Sequence, residues 1–305
     1  MKEIVGIVVL LLFLTACTGE GKPLEPQRPN PYPLTLNDAC GNEIRLDREP
    51  ASVALIHETD EKVAQALGAG DKIVFWDRDH ATRRSVEAAV AHAIAETKPD
   101  IAIGVYPFPK EEQGCSTATD LQAAGIKTLI LEERSFRQLR ANLATVGKVL
   151  NKEKESEKLV RKIDDGVRQV QLQVSDKPKK RVYLEMNYEK GKGMTAAQNS
   201  FYSEMIALAG GTNIAAGDGQ TSSPIPDIVT LPEAEIIKTD PEIIVYFDYL
   251  DPANYKNYVE VRYRPGWEKI TAVQKNFVLP VKYSLFAGFT YDEALQALSR
   301  AIHQE

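Results

Sequence analysis

Histidine, cysteine and tryptophan are scarce in this chain, at four, three and two among 305 residues. No two histidines form a close pair with metal-ligand spacing, which argues against a metal site built from side chains. The common signatures of catalysis are also missing: there is no Gly-x-Ser-x-Gly elbow, no Gly-x-x-x-x-Gly-Lys-Ser/Thr loop and no His-Glu-x-x-His pair. Gly191-Lys192-Gly193 alone signals only a mobile loop, and the adjacent carboxylates Glu132-Glu133 have no catalytic meaning without geometry. A net charge of −6 with no basic cluster gives nucleic acid no footing. After the first residues, no apolar run is long enough to span a bilayer.

What is present begins at the N-terminus. Ile4 to Leu14 is an apolar run of eleven residues broken only by Gly6, the length of a signal-peptide core. Leu14-Thr15-Ala16-Cys17 resembles the lipobox of bacterial lipoproteins, which implies cleavage of the leader and lipidation of Cys17. Residues 1–17 then read as the signal peptide. Residues 18–33, rich in Pro, Gly, Glu and Lys, read as a flexible tether. Cys40 and Cys115 remain, both in the first half; they are either a disulfide, which an exported location permits, or two buried thiols.

The next signal is one long helix over residues 151–174. Leu159, Val160, Ile163, Val167, Val170 and Val174 recur every three or four positions with charge between them. Asn151 suits the cap, Glu153 and Glu155 the positive end of the dipole, and Glu157–Arg161 and Asp164–Arg168 the surface pairs four apart. Similar segments flank it. Leu67-Gly68-Ala69-Gly70 and Leu208-Ala209-Gly210-Gly211 each end a helix on glycine, and Pro99-Asp100-Ile101 and Pro241-Glu242-Ile243 each open a buried strand. Gly211 stands 141 positions after Gly70, and Pro241 stands 142 after Pro99. Two signals at one offset predict two copies of an α/β unit.

The coarse reading follows. A hairpin over 34–46 turns at Gly41-Asn42. Strands are expected over 53–56, 72–76, 100–105 and 127–131, with helices ending near Leu67, Lys98, Ala124 and Leu150, the last capped by Ser135 and Gln138. The second half repeats the plan. Strands fall over 181–186, 242–247 and 277–281, helices over 201–209 and 291–303, and residues 195–200 lead into a helix. The fold class is α/β, with two similar parallel-sheet, Rossmann-like lobes (34–150 and 176–305) bridged by a long rigid helix (151–175).

Read in order, a set of segments resembles the substrate-binding lipoproteins of ABC importers for ferric siderophores, haem and vitamin B12. These are Asp38-Ala39 with Gly41, Ala66-Leu67-Gly68-Ala69-Gly70-Asp71 and Lys98-Pro99-Asp100. Then come Glu204 with Leu208-Ala209-Gly210-Gly211, Asn213-Ile214-Ala215-Ala216, Arg264-Pro265-Gly266-Trp267 and Ala301-Ile302-His303. The resemblance implies a monomeric binder anchored at the cell envelope by lipid alone. Its ligand, an iron chelate or corrinoid, lies in the inter-lobe cleft and is delivered to a permease dimer; there is no resident cofactor and no catalysis. Haem or a free metal ion is the alternative ligand, and an exported α/β enzyme the more distant alternative.

Strand-end loops then supply the candidate ligand contacts: His57, Trp76, Arg78, His80, Tyr106 and Phe108 from the first lobe. Tyr188, Tyr249, Arg262, Arg264, Tyr283 and Phe286 come from the second. Aromatic faces and guanidinium groups suit a large, flat, anionic chelate. The resemblance also implies docking on the permease through one glutamate per lobe, at Glu233 or Glu235 in the second. In the first lobe the matching position holds His92, and Glu87, five residues earlier, is the candidate.

Overall fold

The computed structural model describes residues 31–56, 58–76, 87–106, 114–215, 227–248, 261–282, 285–286 and 291–304, the side chains of 58–60, 76 and 87–90 excepted. The compact body begins at Tyr32. A hairpin of β1 (Leu34–Asn37) and β2 (Glu43–Leu46) opens it, in antiparallel register from Leu34 opposite Leu46. The turn is set by Asp38, whose carboxylate accepts the backbone N–H of Cys40 and of Asn42, at 3.0 and 2.7 Å. Cys40 is joined by a disulfide to Cys115, tying this turn to the first turn of a helix 75 residues away.

The first sheet holds β3 (Val53–Leu55), β4 (Ile73–Trp76), β5 (Ile101–Tyr106) and β6 (Thr128–Glu132), all parallel, in the order β4-β3-β5-β6. Four helices follow these strands in turn: α1 (Glu58–Ala66), α2 (Glu87–Thr97), α3 (Gly114–Ala123) and α4 (Phe136–Val149). The connecting helix α5 is Glu153–Val174. In the second lobe β7 (Lys180–Glu185), β10 (Gly211–Asn213), β12 (Ile243–Asp248) and β13 (Val278–Lys282) are again parallel, in the order β10-β7-β12-β13. Its helices are α6 (Phe201–Leu208), α7 (Glu233–Thr239), α8 (Thr271–Gln274) and α9 (Tyr291–His303). Numbered within its own lobe, each sheet reads 2-1-3-4. Gly70 and Gly211 precede or open the second strand of each, and Pro99 and Pro241 precede the third, so the repeated signals mark equivalent places. The inner strands β5 and β12 are apolar runs buried on both faces, as parallel strands between helices must be. Outermost in the second sheet, β13 carries Pro280, which has no N–H to offer beyond that edge.

The second lobe also carries a small antiparallel sheet of β8 (Asn187–Glu189), β9 (Lys192–Ala196) and β11 (Ile228–Pro232), which the sequence reading leaves as a loop leading into a helix. Its β8–β9 turn is Lys190-Gly191, both at positive φ (51° and 74°), the backbone of a tight two-residue hairpin. All three strands are short, and β8 and β9 lack the apolar run that announces a buried strand.

Helix α5 departs from expectation at its start. Asn151 does not cap it: Asn151 has φ 55°, and its amide donates to Glu49 across 2.8 Å. Lys152 occupies the cap without a side-chain bond. Asp164 likewise pairs with Arg140 on α4 at 2.6 Å, while Arg168 pairs with Asp165. The apolar stripe lies as predicted, with Ile163, Val167, Val170 and Val174 buried. Two glycines let α5 approach its neighbours closely. A Cβ on Gly147 of α4 would lie 2.6 Å from the Ser156 Cβ, and one on Gly166 of α5 would lie 2.7 Å from that of Asp292 in α9.

Two measurements test this packing. Helix propensity alone predicts that Gly166→Ala stabilises by about 1 kcal/mol. The contact with Asp292 predicts the opposite, a net loss of roughly 1–3 kcal/mol in urea denaturation, because backbone and Cβ must move. Replacing Cys40 and Cys115 together by serine is expected to cost roughly 2–4 kcal/mol by the same assay, through the long loop that the cross-link closes.

Candidate functional site

In a sheet of order 2-1-3-4 the chain turns to opposite sides after strands 1 and 3, and a ligand crevice opens beyond their carboxyl ends. In this body those ends are Leu55 and Tyr106 in the first lobe, and Glu185 and Asp248 in the second. Of the twelve candidate ligand contacts, His57, Arg78, His80, Phe108, Tyr249 and Tyr283 lie outside the described residues, and so does the side chain of Trp76, which ends β4. Cys17 and the Glu87 side chain lie outside them as well.

Among the other five, the expectation of open cleft side chains needs correcting for three. Tyr106 is 5% exposed, with its ring held between Gly104 and Gly114, where a Cβ would come within 2.9 and 2.8 Å of it. Phe286 is buried against Phe247, with ring centroids 4.9 Å apart, in the main core. Arg264 is buried inside the second lobe, where its guanidinium donates to both oxygens of Glu185 at 2.6 and 2.8 Å. Both partners of that bidentate pair are out of water, so its geometry must offset a large desolvation cost. Arg262 is half-buried, with Nη2 donating to the Val278 carbonyl at 3.5 Å.

Tyr188, on β8, belongs to the same assembly. Its ring lies over the Arg264 guanidinium at 3.6 Å and meets fully buried Trp267 edge-on at 5.6 Å. The Tyr188 hydroxyl and the Trp267 indole N–H both donate to Oε1 of Glu233, at 2.7 and 2.6 Å. Burial, aided by the Glu233 carboxylate, pushes the Tyr188 phenol up to about 12. Among the described residues Glu235, two residues on, pairs with Lys238 across 3.5 Å at the surface. The two docking candidates therefore differ: Glu233 is anchored inward on one oxygen, and Glu235 faces outward.

Where the lobes meet, the segment after β6 touches the second lobe repeatedly. Glu133 accepts the Tyr291 hydroxyl at 2.8 Å, Arg134 pairs with Asp227 at 3.0 Å, and the Phe136 N–H points to Glu204 at 3.4 Å. The rings of Phe136, Phe201 and Tyr291, the first residues of α4, α6 and α9, stack edge to face with centroids 4.8–6.3 Å apart. Ser135 caps α4 by accepting the Gln138 N–H, and Gln138 reaches back to the Arg134 N–H, so the junction grows from a fixed helix start. Sequence reasoning noted Glu132-Glu133 as a pair, Glu204 within the family resemblance and Phe201 and Tyr291 as helix starts, but none of them as a contact between the lobes. The only legible signal was the capping box that precedes Phe136. Among the described residues no group of three or more His, Cys, Asp or Glu side chains is arranged to hold a metal ion.

Compared with known proteins, residues 53–282 match the family model described as periplasmic binding protein. The chain belongs to that family. This periplasmic binding protein is 24% identical to the ABC transporter substrate-binding lipoprotein YvrC of Bacillus subtilis (strain 168), over 100% of its own length and 99% of the relative's. It is 28% identical to a cobalamin-binding protein of Halobacterium salinarum, over 78% of this chain and 67% of that protein. Among solved structures it resembles an ABC-type Fe3+-hydroxamate transport protein of Saccharomonospora viridis, with TM-score 0.67, 18% identity and coverage of 89% and 99%. It also resembles the periplasmic haem-binding protein BhuT in complex with two haems, with TM-score 0.64, 16% identity and coverage of 82% and 97%. Both likenesses are of fold.

Within this periplasmic binding protein the Glu185–Arg264 pair, with Tyr188 and Trp267 above it, fixes the carboxyl end of β7. Arg264→Met is expected to destabilise the chain by roughly 3–5 kcal/mol in urea, since it leaves Glu185 buried without a partner. Combining it with Glu185→Leu should recover most of that loss. If the single and double replacements cost the same, the pair does not hold this end of the sheet.

Proposed function

We propose that this chain is the solute-binding lipoprotein of an ABC importer, capturing an iron chelate (a ferric siderophore) or a corrinoid between its lobes and delivering it to a membrane permease. The observation that carries the reading is the pair of matched 2-1-3-4 sheets joined by one long helix, each with loops following its strand ends, within a chain of the periplasmic binding protein family. On this reading His57, Trp76, Arg78, His80, Phe108, Tyr249 and Tyr283 lie on those loops, and Tyr188 and Arg262 border them. The chain catalyses no reaction; the importer's ATPase does the work. Cys17 carries the lipid that holds the exported chain at the envelope, and among the described residues no helix is long and apolar enough to cross a membrane. Docking on the permease falls to α7 through Glu233 or Glu235 in one lobe, and to Glu87 in the other.

A corrinoid is the first ligand to test, because the cobalamin-binding relative is similar in sequence, whereas the hydroxamate and haem proteins are similar in fold. Thermal unfolding of the mature chain with ~100 µM cobalamin, haem or ferric siderophore decides. A site with Kd near 1 µM adds about 2.7 kcal/mol and raises Tm visibly. No shift with any of them would overturn the chelate-or-corrinoid reading.

A further inference from the structure

Glu133 follows β6 at the point where the first lobe meets the second. It is 6% exposed, and one carboxylate oxygen accepts the Tyr291 hydroxyl of the second lobe at 2.8 Å. The other faces the Asn142 amide of α4 at 3.3 Å, and the Phe136, Phe201 and Tyr291 rings pack nearby. A carboxylate in so dry a place calls for a cation, yet among the described residues the charged groups around it are paired elsewhere or exposed. On its own segment, Arg134 pairs with Asp227 and Glu132. On α4, Arg140 pairs with Asp164 and Arg137 is exposed. On α6, Glu204 accepts the Phe136 N–H. On α9, Asp292 packs against Gly166 and lies 3.7 Å from Lys162, and Glu293 is exposed. Both hydrogen-bond donors to Glu133 are neutral.

We propose that Glu133 is a proton-operated latch on the lobe junction: neutral, it keeps the junction closed, and ionised, it draws water in and loosens it. The cause is the cost of holding an uncompensated charge away from water, which opening the junction relieves. Burial accordingly lifts the carboxyl from 4.5 to about 7 in the closed form, with the Tyr291 and Asn142 bonds opposing the rise. The closed form thus binds the proton more tightly than the open one. Closure is strongest below pH 4.5 and weakens as pH rises to about 7, after which it stays weak. The link to ligand retention rests on the solute-binder reading, since the junction sets the width of the cleft; the latch itself does not.

Hydrogen exchange of the full chain, followed by mass spectrometry on peptides covering 133–143 and 286–295, tests this without any ligand. After correction for intrinsic base catalysis, protection in both peptides should fall on the order of 100-fold between pH 5 and pH 8. It should stay flat in Glu133→Gln, a neutral isostere whose carbonyl keeps one acceptor contact and whose amide, like the O–H of the protonated carboxyl, is a donor. Tyr291→Phe removes a donor to the ionised form, so it should leave the start of the fall in place and extend it to higher pH. A flat wild-type profile overturns the latch, and so does a fall in Glu133→Gln as large as in wild type. Either result leaves the solute-binder reading standing, because ligand-induced stabilisation is measured separately.

Discussion

Two places where α5 touches its neighbours at backbone distance govern the geometry of everything else. At Gly147–Ser156 it meets the last helix of the first lobe, and at Gly166–Asp292 the last helix of the second. Neither contact leaves space for a methyl group, so neither lobe can slide along the helix without repacking. The contacts lie ten residues apart on α5, about 15 Å along its axis, so the lobes are held by a short stiff segment. Ile163, Val167 and Val170 of the apolar stripe then seal the helix into the shared core.

A second set of contacts, unlike the first, is polar and aromatic. Glu133, Arg134 and Phe136 leave the first sheet together and reach the second lobe through a carboxyl, an ion pair and a ring. Apolar packing along α5 responds little to solution conditions, whereas a junction holding an ionisable group does. The lobes therefore have one insensitive connection and one sensitive one.

The architecture was largely legible in the sequence, because the features that announce it are local. Pro99 and Pro241 stop helices, paired glycines end them, and the stripe of α5 has a plain period. What was not legible depends on partners far away in the chain. Asn151 looks like a cap until Glu49, some hundred residues earlier, takes its amide. Arg264 looks like a cleft cation until Glu185, 79 residues away, claims both of its forks. The sheet of β8, β9 and β11 escaped notice because its strands are short and β8 and β9 lack an apolar run, and only the Lys190-Gly191 turn hinted at it. For the site, composition pointed to aromatic and cationic side chains near strand ends, but could not say which of them turn inward to pack, as Tyr106 and Phe286 do.

Pro280 has a consequence beyond the lobe it sits in. A parallel sheet with a bare outer strand offers a row of hydrogen-bonding groups to any passing extended segment, and two such molecules can grow into one another. At β13 that row is interrupted, because the ring nitrogen of Pro280 has nothing to donate and its bulk obstructs a flat approach. Crowded side by side, copies of this chain would therefore find that edge a poor template.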